Sequence, residues 1–131
     1  MSRTVDLLRE AQVFHIATID GSVPRVRPFG FVMDFDDKIY FTTGNKKDFF
    51  KQIKKNPAVE LSAMLPDGRW IRVQGRAIVG GSLAAKKRAF EIFEGFKDLY
   101  QSPDNPTFEV FYLESPSATL YSFTEAPEKI L

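Results

Sequence analysis

The amino-acid sequence predicts a mainly β protein, a barrel of about six antiparallel strands with short helices at its ends or side. Three observations point there. Period-two runs of apolar and aromatic residues recur along the chain. The turn signals Asp20-Gly21, Asp36-Asp37 and Pro66-Asp67-Gly68 connect them closely, and helical periodicity is confined to short stretches. Close connections make hairpins, and hairpins make antiparallel pairs.

The elements follow in order. Residues 4–12 form a helix with Val5, Leu8 and Ala11 on one face, and residues 13–19 a strand that turns at Asp20-Gly21. The strand over residues 23–34 carries Pro24 and Pro28, which fits an edge or a bulged position better than a central ladder. Residues 38–42 return as a strand, and Thr43-Gly44 lead into a helix beginning near Asn45 that turns Phe49, Phe50 and Ile53 inward. Asn56-Pro57 end it. Strands follow at 58–64 and 69–79, the latter closed by Gly80-Gly81. Ser82 caps a helix over 83–93, and the last strand region, 107–123, is interrupted at Ser115-Pro116.

At 131 residues the chain is expected to form a single domain. It has no cysteine, which excludes disulfides, iron–sulfur clusters and thiol catalysis. One histidine, His15, is too few for a zinc site built from protein ligands, and it reads as a core or interface residue. A Ser-His triad has no supporting partner, although a lysine base stays open. No apolar run approaches the roughly 20 residues of a membrane span, and the charged N-terminus lacks a signal peptide's apolar region, so a soluble, cytoplasmic protein is expected.

Net charge is +1, but residues 91–131 hold two lysines against eight acids, while residues 46–55 hold five lysines against one aspartate. A local basic site on a balanced body suits a small anionic ligand better than nucleic acid. In residues 39–57 a strand hands over to a helix at Thr42, Thr43, Lys46 and Lys47. A helix N-terminus carries unpaired N–H groups and roughly half a positive charge, so this junction would welcome a phosphate. The alternative reading is a solubilising lysine face.

Strand alternation places Arg25, Arg27, Phe29 and Phe31 on one face and Val26, Gly30 and Val32 on the other. It also separates Ile71, Val73, Gly75 and Ala77, facing the core, from Trp70, Arg72, Gln74 and Arg76. Each charged face is either solvated or a cationic and aromatic surface for a flat anionic ligand. No Walker loop, Rossmann fingerprint or paired-acid motif is present, so any redox chemistry would belong to a bound cofactor.

The segments PRVRPFGFV, YFTTGNKKDFFKQIKKNP and DGRWIRVQGRA together resemble the pyridoxamine 5′-phosphate oxidase-like flavoproteins, which are FMN-binding split barrels. The likeness spans residues 13–79 and, more loosely, the whole chain. It implies a homodimer of six-stranded split barrels with FMN at the interface. Lys46 and Lys47 then match the phosphate ligands, Thr42 and Thr43 the strand end at the phosphate and ribityl chain, and Arg27, with Arg25, the basic strand position. The backbone about Pro28 would hold the flavin edge, and Trp70 and Arg72 would reach the FMN of the other subunit.

The C-terminal segment YSFTEAPEKIL lacks the Arg and His with which true pyridoxamine phosphate oxidases grip the vitamin. The chain is therefore similar to the short members compared with nitroimidazole-resistance reductases. The function implied is an FMN-dependent oxidoreductase passing electrons or hydride to a small acceptor, with NAD(P)H as a possible donor. The alternative is a non-catalytic module that binds or carries a flavin, a deazaflavin or haem.

Overall fold

The computed structural model describes residues 2–80 and 82–131, so Gly81 of the expected Gly80-Gly81 break lies outside the described residues. The chain runs α1 (Arg3–Ala11), β1 (Phe14–Asp20), β2 (Val23–Phe29), β3 (Met33–Phe35), β4 (Lys38–Gly44) and α2 (Asp48–Lys55). It continues with β5 (Ala58–Met64), β6 (Trp70–Val79), α3 (Leu83–Ile92), α4 (Gly95–Tyr100), β7 (Phe108–Tyr121) and β8 (Glu128–Lys129).

All strand pairs are antiparallel, in the order β2-β1-β5-β6-β7-β4-β3, with β8 added to β7. The proline-bearing β2 is an end strand of that order, as Pro24 and Pro28 require. The sheet curls until residues far apart in the strand order touch. Phe14 of β1 meets Phe41 of β4 edge-on at 5.6 Å, and Phe29 of β2 meets Phe111 of β7 at 6.2 Å. The result is an open barrel filled by phenylalanine, with α2 contributing Phe49 and Ile53 to the same core.

Three differences from the sequence reading have structural causes. The strand expected over 23–34 divides between β2 and β3, and with the short β8 this gives eight strands. β7 runs through Ser115-Pro116 without a break. Its register against β6 shifts between Gln74 and Arg76, with Ser115 at φ 50°, so Pro116 falls in a bulge where the ladder needs no N–H. α2 starts at Asp48 rather than near Asn45, because the Asn45 side chain donates to Pro106 O at 2.6 Å and Glu109 Oε2 at 2.9 Å.

β4 is covered on both sides. Ile39 and Phe41 face the barrel, while Tyr40 joins Met33, Phe108, Val110, Ala85, Ala89, Phe90 and Phe96 in a second cluster under α3 and α4. Ser82 caps α3 as expected, its Oγ accepting from the Ala85 N–H at 3.2 Å. Among the described residues no helix is long and apolar enough to cross a membrane.

Candidate functional site

β2 sets the first wall of the site. Its register against β1 pairs Phe29 with Phe14, Arg27 with Ile16 and Arg25 with Thr18, so the arginines share the inward face with the core. The Arg27 guanidinium lies half-buried over the Phe49 ring, 5.0 Å from its centre. It donates from Nη1 to Thr18 Oγ1 at 2.8 Å and to Ile16 O at 3.2 Å, and from Nη2 to Gln52 Oε1 at 2.6 Å. All these acceptors are neutral. Burial, and secondarily Arg25, pull its pKa below the usual arginine value, with Asp48 opposing only in part. The group keeps its charge at neutral pH, so this is a sheltered cation that, among the described residues, hydrogen-bonds to no carboxylate.

β4 and α2 set the second wall. Alternation along β4 parts the two threonines: Thr42 opens onto the cleft, whereas Thr43 is buried with its Oγ1 unpartnered. Lys47 is the N-cap residue of α2, and among the described residues no side chain caps the first-turn N–H groups. These groups and the Lys47 ammonium stand together at a positive helix end.

Between these walls and the α3–α4 region lies a cleft of about 360 Å³. Its lining comprises Arg27 to Phe31, Thr42, Lys47 and Phe49, with Phe93 and Phe96 from the helical side. Phe29 packs on Phe49 at 4.9 Å and Phe31 on Phe96 at 5.1 Å, so the slot is aromatic on both sides. Two cations and no carboxyl or imidazole line it. A larger groove of about 990 Å³ opens beyond the Arg27–Gln52 contact, beside Arg25, Lys51 and Lys55. Asp20 and Asp48 also line it, and Asp20 holds Arg25 at 3.2 Å, so its charge is largely compensated. The aromatic cleft is the better site for a flat anion.

The model of the pyridoxamine 5′-phosphate oxidase family matches residues 2–119. The chain belongs to this family. A nimc/nima family protein from Clostridium acetobutylicum is 38% identical, with TM-score 0.93 over 98% of this chain and 89% of that one. Two more distant structures share the fold. General stress protein 26 of Bacillus anthracis is 17% identical, with TM-score 0.75, covering 95% of this chain and 93% of its own. A pyridoxamine 5′-phosphate oxidase-related, FMN-binding protein of Nostoc punctiforme is 16% identical, with TM-score 0.68, covering 97% and 91%. No curated protein matches.

Set against this family, the residues singled out in the sequence divide into two groups. Arg27, Pro28, Thr42 and Lys47 meet in the cleft. Arg25 lines the neighbouring groove, Lys46 is exposed outside the cleft lining, and Thr43 faces the interior. Trp70 and Arg72 lie on the outer face of β6. Trp70 stacks on Tyr121 at 5.6 Å, and Arg72 pairs with Glu60 at 2.8 Å. They do not reach the cleft of their own chain. His15 is exposed on the outer face of β1, which removes the core reading.

Sequence reasoning missed Gln52, Thr18, Phe93 and Phe96. Thr18 carried a signal: it shares the inward period with Phe14 and Ile16, and a buried hydroxyl there needs a partner. Its Oγ1 donates to Gln52 Oε1 at 2.6 Å.

Proposed function

We propose that the protein binds FMN in the aromatic cleft and acts as an FMN-dependent oxidoreductase toward a small acceptor, with NAD(P)H as a candidate donor. The observation that carries this reading is the half-buried Arg27, which has only neutral acceptors and lines one slot with Lys47 between phenylalanine walls. A phosphate supplies the missing negative charge, and a conjugated ring suits the walls. Lys47, the α2 N-terminus and Arg27 would hold the phosphate, Thr42 the polyol, and the backbone from Arg27 to Phe29 the ring edge. Bound FMN supplies the redox chemistry, hydride acceptance and its onward transfer. The chain's own groups orient the ring, and its cations favour an anionic reduced state.

Assembly as a homodimer belongs to the same reading. The outer face of β2 and β1 presents Val26 at 66% exposure, and Met64 on β5 is 60% exposed beside Trp70. A second copy covering this face would bring Trp70 and Arg72 to the neighbouring cleft.

Titration with FMN followed by absorbance tests the reading. A perturbed flavin spectrum with saturation at micromolar protein is expected, and a free-FMN spectrum throughout would overturn it. One observation favours a second reading, a flavin carrier without turnover: no carboxyl or imidazole lines the cleft to move a proton. Oxidation of NADH or NADPH by the FMN-loaded protein separates the two. The sole imidazole, exposed on the outer sheet face, gives haem no axial ligand in the cleft.

A further inference from the structure

We propose that the Phe93 ring, seated by Gly95 at the elbow between α3 and α4, is a ring-contact residue of the cleft, gripping the planar conjugated part of the ligand. This rests on the flavin reading above and adds to it a residue outside the β2–β4 framework.

Two features of the elbow are unfavourable in the free chain. Phe93 is 47% exposed and is the most exposed of the cleft's rings: Phe29 and Phe31 are partly buried, and Phe49 and Phe96 are 4% and 5% exposed. Its one ring partner among the described residues is Phe96, met edge-on at 4.8 Å and 86°. Gly95 is the first residue of α4 and does not adopt a left-handed backbone, so its conformation is open to any residue. Glycine held in such a conformation loses more backbone freedom on folding than any other residue would.

The geometry ties the position of the ring to this glycine. A Cβ on Gly95 would lie 2.5 Å from Phe93 Cζ and 2.7 Å from Cε2, so with any side chain here the exposed ring would have to swing out of this position. The missing side chain is the seat of the Phe93 ring, and the ring in that seat lines the same slot as Arg27, Thr42 and Lys47. Exposed apolar area and a helix glycine are both accounted for if the ring is a wall that a flat ligand covers. The cations serve the phosphate, so Phe93 should be indifferent to it.

The test is a double-mutant cycle on the full chain with three probes: FMN, riboflavin, and inorganic phosphate as a competitor of FMN. Phe93→Ala and Gly95→Ala should each weaken FMN and riboflavin by the same factor, roughly three- to tenfold as expected for an aromatic contact. Phosphate competition should not change. In the Phe93→Ala background, Gly95→Ala should cost no further affinity and should raise the melting temperature, since no ring remains to collide with the new methyl. Thermal melts of every variant report folding separately from binding.

Wild-type affinity for both flavins in the single variants overturns the assignment. So does an equal loss from Gly95→Ala with and without the Phe93 ring, or a loss confined to FMN. A wild-type protein that binds neither flavin overturns the cofactor reading itself, and this assignment with it.

Discussion

Arg27 of β2 hydrogen-bonds to α2 through the Gln52 side-chain carbonyl, its Nη2 donating to Oε1 at 2.6 Å while Thr18 donates to the same oxygen, also at 2.6 Å. Gln52 therefore holds the cation in place without neutralising it. Gln52→Glu keeps both acceptor contacts and adds a charge. It should stabilise the fold by up to about 1 kcal/mol, as a partly exposed ion pair does. The same change should weaken FMN by about 1.5–3 kcal/mol, because the carboxylate takes the place of the phosphate charge. Urea unfolding and FMN titration read the opposite signs. Unweakened FMN binding would place the phosphate away from Arg27.

Lys47 and Lys46 are neighbours in sequence but not in role. Lys47 is the α2 N-cap and lines the cleft, whereas Lys46 does not. Lys47→Ala should weaken FMN by about 1.5–3 kcal/mol and leave riboflavin, which lacks the phosphate, unchanged. Lys46→Ala should cost well under half of that, and its effect should fade with added salt as exposed charge interactions do. Equal losses from the two variants would mean the phosphate sits outside the cleft.

The fold was legible because alternation and turns are local properties. The β2 prolines pointed to an edge, and the inward period of β6 appeared as Ile71, Val73 and Ala77, all buried. What could not be read depended on distant partners. Asn45 is a good cap residue by type, yet its side chain is taken by Pro106 and Glu109, more than 60 positions away. Pro116 breaks a regular strand but is harmless in a bulge, and the bulge is visible only once β6 lies beside β7. The site divides in the same way. Alternation predicted that Arg27 and Phe29 share a face, whereas Gln52 was masked among the lysines of its helix. The α4 elbow brings Phe93 across from elsewhere in the chain.

Thr43 offers a test of which β4 face the ligand uses. Its Oγ1 is buried and unpartnered, a cost of about 1–3 kcal/mol for a group removed from water. Thr43→Val is close to isosteric and should stabilise the protein by about 1 kcal/mol, measured as a higher urea midpoint, with FMN affinity unchanged. Thr42→Val should do the reverse, leaving stability nearly constant and weakening FMN. Loss of FMN affinity in Thr43→Val would show that its hydroxyl turns toward the ligand.

The outer sheet face decides whether one chain makes a complete site. Val26 is 66% exposed and pairs with Ala17, on the side of β2 opposite Arg27. It makes no part of the cleft lining, so an effect of Val26 on flavin binding must pass through assembly. Val26→Asp places a charge at a position that water already reaches in the monomer, and the fold should tolerate it. Burying that charge between two copies without a partner should cost several kcal/mol. Sedimentation velocity should show a wild-type dimer and a monomeric variant with a near-normal melting temperature. If the second copy supplies Trp70 and Arg72, FMN affinity should fall with the dimer. Trp70→Ala should then weaken FMN while leaving the dimer intact, separating contact from assembly. A monomeric Val26→Asp protein that binds FMN like the wild type would make the cleft self-sufficient. Trp70, stacked on Tyr121 at 5.6 Å, would then serve its own sheet face alone.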